Sequence, residues 1–159
     1  MPRRPGLRRL LTTPPLRILL ALEAAFELAL ARVNTLGSAQ HFTRFMGELE
    51  GRPIGADPKQ QEKAKAIGHV VELTSRVMPF RAVCLQQVLA TRRMLKRRHV
   101  PATVYLGVNP GGAGADAPTL DGLDADTLLS AHAWVKSGNC VVNGNTRDLD
   151  RYVVLGVFS

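Results

Sequence analysis

Two residues carry most of the chemistry this sequence offers: Cys84, within Phe80-Arg81-Ala82-Val83-Cys84-Leu85-Gln86-Gln87, and His132, within Ala131-His132-Ala133-Trp134-Val135. Cys84 stands where a segment broken by Pro79 turns into an amphipathic helix, and main-chain N–H groups at a helix start favour thiolate over thiol. His132 falls in a short alternating apolar run that reads as a strand, from which an imidazole can reach across to the sulfur. A thiolate beside an imidazole attacks a carbonyl, holds the acyl group and passes it to water or another acceptor. The plainer reading is that Cys84 is a small core residue, the usual fate of a free cysteine on an apolar helix. Cys140 has a weaker claim as nucleophile, because a strand starting after a turn offers no helix dipole. A zinc site built from Cys84, Cys140, His132 and a fourth ligand would lack any close-spaced ligand pair. Neither metal nor cofactor is expected. His41, His69 and His99 lie on helices or at a helix end with no partner nearby in sequence.

The elements that must position this pair are legible from punctuation and period. Pro14-Pro15 opens a helix over 16–34, with Thr13 as a cap, and its apolar residues cover more than one face. Arg17, Glu23, Glu27 and Arg32 interrupt it well short of a membrane span of about 20 clean apolar residues. A helix so apolar should be covered on two sides, by its own domain and by another chain. A shorter helix is expected over 38–48. Asp57-Pro58 caps and starts a helix over 58–77, with Ala64, Ile67, Val71 and Thr74 on one stripe, and Met78-Pro79 ends it. The Cys84 helix runs over 83–98 with its basic residues in the last turns, where they suit the macrodipole. Gln86 and Gln87 read as ordinary helix residues, and Trp134 as packing beside the His132 strand. Strands are expected over 102–108, 131–136, from Cys140, and over 152–158, with Gly138-Asn139 as a two-residue hairpin turn. The stretch 109–126 reads as a long surface loop beside the site. The fold class is α+β: N-terminal helices, then a small antiparallel sheet packed on the Cys-bearing helix.

Composition sets the bounds. A chain of 159 residues, 45% apolar and 5% aromatic, suits one domain with an aliphatic core. Residues 1–56 are read as a helical lead packed on a core of 57–159. The two cysteines suggest no disulfide framework, and no secretory signal is evident, so a reducing cytoplasm fits best. The net charge of +8 gathers in Arg3, Arg4, Arg8, Arg9 and Arg17, and again in Arg92, Arg93, Lys96, Arg97 and Arg98. Without a helix-turn-helix, zinc ligands or an aromatic-lined basic groove, nucleic acid is not the expected partner. The glycines near 111–114 lack the Lys-Ser/Thr or the spacing of phosphate-binding loops.

The Cys-then-His order is that of papain-like and transglutaminase-like thiol enzymes. More closely, the chain resembles the leader peptidases of lasso-peptide biosynthesis, small bacterial enzymes with a transglutaminase-like cysteine-protease fold. The resemblance rests on Arg81-Ala82-Val83-Cys84-Leu85, on Pro101-Ala102-Thr103-Val104-Tyr105-Leu106-Gly107-Val108, and above all on Ala131-His132-Ala133-Trp134-Val135. It covers roughly residues 57–158. It implies Cys84 as nucleophile, His132 as base, and a ribosomally made precursor peptide cut at the end of its leader. An ATP-dependent cyclase then forms the macrolactam. A precursor-recognition protein is also implied, because nothing before residue 57 reads as the winged, β-rich module many members carry.

The family usually places an acid twelve residues after the His, and here that position is Gly144. If Gly138-Asn139 forms the turn, Ser137 faces Cys140 and the ladder sets His132 opposite Asn145, with Asn143 on the same face. Either amide oxygen would accept the imidazole N–H, as in Cys-His-Asn sites. Asp148 and Asp150 are charged alternatives beyond a further turn, Asp148 foremost. The expected catalytic set is therefore Cys84 and His132 with Asn143, Asn145 or Asp148. Two rivals stand beside it: another thiol hydrolase or acyltransferase on the same fold, and a non-catalytic basic binding protein.

Overall fold

The computed structural model describes residues 14–35, 53–109, 131–145 and 149–159. The basic lead, the helix expected over 38–48, most of the loop after Asn109, and Asp148 lie outside the described residues. Among the described residues three helices come first, α1 (Pro14–Thr35), α2 (Pro58–Ser75) and α3 (Cys84–Arg97). Four strands follow, β1 (Thr103–Val108), β2 (Ala131–Ser137), β3 (Cys140–Asn143) and β4 (Val153–Phe158), with a 3-10 turn at Leu149–Arg151. The sheet is antiparallel in the order β3-β2-β1-β4, so the architecture is α+β.

Local chemistry accounts for the helix limits. At α2, Asp57 Oδ1 accepts the Gln60 N–H at 2.8 Å while Gln60 Oε1 accepts the Asp57 N–H at 3.0 Å. This reciprocal cap is worth about 1 kcal/mol. The helix closes at Ser75 rather than at residue 77, because the Arg76 and Val77 N–H groups turn to carbonyls three residues back. At the end of α3, His99 takes a left-handed φ of 52°, its N–H meeting the Lys96 carbonyl and that of Val100 the Leu95 carbonyl. His99 thus closes a helix, the Schellman arrangement.

α1 and α2 pack against α3, α3 lies on β2, and α2 covers β3. The core joins Leu20, Ala24 and Leu28 of α1, Ile67 and Val71 of α2, Val88, Leu89 and Leu95 of α3, and Val104, Val135 and Phe158 of the sheet. The basic end of α3 is spent internally. Glu27 on α1 is buried, pairing with Arg97 and, at 3.0 Å, with Arg93 Nε, while Glu23 meets Arg98. In the sequence these arginines suit the macrodipole of their helix; in the fold Arg93, Arg97 and Arg98 also clamp α1 to α3. Among the described residues no helix is long and apolar enough to cross a membrane.

The β2–β3 hairpin turns at Gly138-Asn139 with Ser137 paired to Cys140, and Gly138 alone holds a positive φ of 56°, as a type II′ turn requires. One step along, the ladder departs from even pairing. A bulge between Val135 and Lys136 sets Val135 opposite Asn143 instead of Val142. A one-residue slip reverses which face each later side chain meets.

Candidate active site

The segment ahead of Cys84 is held by two glutamines that in the sequence read as ordinary helix residues. Gln86 is buried; its Oε1 accepts the Val83 N–H at 3.2 Å, and its Nε2 donates to Thr35 Oγ1 on α1 at 3.0 Å. Gln87 Nε2 donates to the Ala82 carbonyl at 3.0 Å. The position of Gln86 three residues after the cap was the available signal, the back-reaching half of a capping box without its Ser or Thr. Val83 has no side-chain acceptor of its own, so Gln86 supplies the fixed start of α3 from within the helix.

Cys84 is the first residue of α3, half-buried, and the fold brings it to His132 at the start of β2. Burial pushes the Cys84 thiol up. The hydrogen bond from His132, the Ala133 N–H, the charge on His132 and the Leu85 N–H together outweigh burial and hold the thiol below its ordinary value. The His132 imidazole is raised, first by its hydrogen bond to Cys84, against desolvation, and then by the Gly144 carbonyl and the charge on Cys84. Both shifts favour a thiolate beside an imidazolium.

His132 Nε2 lies 2.7 Å from the main-chain oxygen of Gly144. An acceptor there makes Nε2 the protonated nitrogen and leaves Nδ1 for the sulfur. Gly144 has a φ of 75°, and a Cβ on it would stand 2.3 Å from the Ala133 carbonyl oxygen and 2.9 Å from Trp134 Cα. A glycine is required to bring this carbonyl over the imidazole. The face of the sheet beyond is aromatic. Trp134 stacks with His132 at 6.1 Å and 18° and with Tyr105 at 5.6 Å and 6°, and Tyr152 approaches His132 at 5.3 Å. The imidazole is thus fixed by a carbonyl at one nitrogen and by rings on its faces.

Asn143 and Asn145, the residues expected to orient His132, are placed elsewhere in this structure. The bulge slips the register, so the buried Asn143 turns its Nδ2 to the Gly68 carbonyl on α2 at 3.4 Å. Asn145 is exposed, and the acceptor between them is a backbone group that has no sequence signature. Asp148 lies outside the described residues. Cys140 donates to Gln61 Oε1 on α2 at 2.9 Å, beside the far end of β2. Five residues of strand separate that end from His132, about 16 Å. Among the described residues no group of three or more His, Cys, Asp or Glu side chains gathers as a metal site.

A thiolate at a helix start, an imidazole on the neighbouring strand and a fixed acceptor behind it are the equipment of thiol-dependent acyl transfer. The family model of the transglutaminase-like superfamily matches residues 28–157, most of the chain, and the protein belongs to that superfamily. Members are typically cysteine peptidases or acyltransferases. No curated protein and no solved structure matches the chain significantly.

Proposed function

We propose that the protein is a cysteine peptidase that removes the leader from a ribosomally made lasso-peptide precursor. The observation that carries the peptidase reading is the juxtaposition of Cys84 at the start of α3 and His132 on β2, each shifting the other, the thiol down and the imidazole up. The choice of substrate rests on the resemblance of the segments around Cys84, Val104 and His132 to lasso leader peptidases. The Cys84 thiolate attacks the carbonyl before the scissile bond, forming a C–S bond. His132 gives its proton to the departing amine as the C–N bond breaks. Water, deprotonated by His132, then attacks the thioester and releases the thiolate. The Cys84 N–H lies in the first turn of α3, where helix N–H groups have no intrahelical acceptor. A donor of this kind contributes about 3 kcal/mol to the tetrahedral intermediate.

On this reading the working partners are the precursor peptide, a leader-recognition protein and an ATP-dependent macrolactam cyclase. The test is incubation with the precursor encoded beside this gene, with and without a neighbouring recognition protein, followed by mass spectrometry. Cleavage at one site, lost in Cys84→Ala and kept in Cys140→Ala, is the expected result. Transfer of an acyl group to an added amine in place of hydrolysis would favour an acyltransferase with the same two residues. Wild type and Cys84→Ala behaving alike would remove the enzyme reading.

A further inference from the structure

α1 is apolar on both sides. It buries Leu20, Ala24, Leu28 and Ala31 against α2 and α3, yet Ile18, Leu19, Leu22, Phe26 and Val33 on the opposite side are 62–66% exposed. That stripe runs about 22 Å along the helix. Beside it lie Ala21, Ala25 and Ala29, spaced by four, so a ridge of large side chains borders a furrow of methyl groups. Ridge and furrow of this pitch are what a second helix packs into, whereas a lipid surface needs no furrow.

Charge selects the kind of helix. Both carboxylates of α1 are turned to α3, Glu27 to Arg93 and Arg97 and Glu23 to Arg98. Arg17 and Arg32, towards the two ends of the stripe, have no carboxylate partner among the described residues. A second copy of a chain with net charge +8 would set arginine against arginine.

We propose that the outer face of α1 is a docking surface for an amphipathic helix of another protein, one carrying Asp or Glu beside its apolar stripe. The apolar ridge supplies the contact and Arg17 and Arg32 the register and encounter rate, a helix-in-groove mode. Catalysis at Cys84 is not part of the inference, and either reading can fail without the other.

The probe is a fluorescein-labelled 18-residue model helix with leucines on one face and glutamates on the other, beside a counterpart with lysines for glutamates. Fluorescence anisotropy with the full chain is expected to give micromolar binding of the acidic helix and at least tenfold weaker binding of the basic one. The double variant Leu22→Glu, Phe26→Glu should lose at least tenfold, and Arg17→Glu, Arg32→Glu several-fold with a weaker salt dependence. Thermal melting and the Cys84 alkylation rate should stay unchanged. Equal binding of both helices, or stripe variants that bind as wild type, overturns the proposal. So does a wild-type dimer in sedimentation that Leu22→Glu dissociates, which would make a second copy the occupant. Flotation with anionic vesicles that the same variant abolishes would assign the face to a lipid surface. A large fall in melting temperature for the stripe variant would mean that the chain covers the stripe itself.

Discussion

His132 Nε2 and the main-chain oxygen of Gly144 lie 2.7 Å apart, across a strand pair whose register is displaced by a bulge. Gly144, twelve residues after His132, contributes its carbonyl. A carbonyl fixes the tautomer of the imidazole as a carboxylate does, but stabilises the imidazolium less, so the hydrogen bond to the Cys84 thiolate stands first in raising His132.

Gly144→Ala should therefore impair the site without unfolding the protein. Its Cβ has no room beside the Ala133 carbonyl, and the backbone must move the oxygen off His132. The expected loss is roughly tenfold to a hundredfold in kcat/KM, part of what a positioned base supplies. Asn145→Ala, at an exposed residue with no bond to the imidazole, should stay close to wild type. Steady-state kinetics on the two folded variants checks both, and the reverse order of effects would return the orienting role to the amide.

Gln86 is the second positioning prediction. Gln86→Ala leaves the Val83 N–H and Thr35 Oγ1 without their partner in a buried site and should cost about 1–3 kcal/mol in denaturant unfolding. Because the lost bond precedes Cys84 directly, alkylation of the thiol should slow as well. Gln86→Glu, whose carboxylate still accepts the Val83 N–H, should recover the alkylation rate more fully than the stability.

The α1–α3 clamp yields a stability prediction. Glu27 is 1% exposed, whereas Arg93 and Arg97 reach water. Replacing both arginines by Met strands a buried carboxylate, for an expected loss of about 3–5 kcal/mol. Adding Glu27→Leu to that pair should restore much of it, since three apolar residues then meet. If the triple variant melts no higher than the double, the carboxylate is not the source of the loss.

The parts of this fold that sequence made legible are those set by short-range rules. Asp57-Pro58 marked the α2 start, Pro79 the break before α3, Gly138-Asn139 the hairpin, and Cys84 and His132 stood out by residue type and element. What could not be read follows from longer-range geometry. The bulge at Val135/Lys136 carries no local signal, and it shifts the β2–β3 register from which the Asn acceptors were expected. The pairing of the α3 arginines could not be read because their partners, Glu23 and Glu27, lie some seventy residues earlier. Gln86 stands at a capping position but reads as an ordinary helix residue because Val83 is no cap.

The account turns on a thiolate at Cys84 sustained by His132, and the pH dependence of alkylation measures it directly. In a Cys140→Ala background only Cys84 reports. The lowered thiol keeps its proton off until the pH falls below the value of about 8.5 for an unperturbed cysteine. Iodoacetamide should therefore keep reacting below the pH at which an ordinary cysteine loses reactivity, with the rate falling only as the thiolate takes up its proton. In His132→Ala the leading stabilising partner is gone while burial persists, so the inflection should move up, to or above the ordinary cysteine value. Coincident profiles for the two proteins, both inflecting where a free thiol does, would contradict the account.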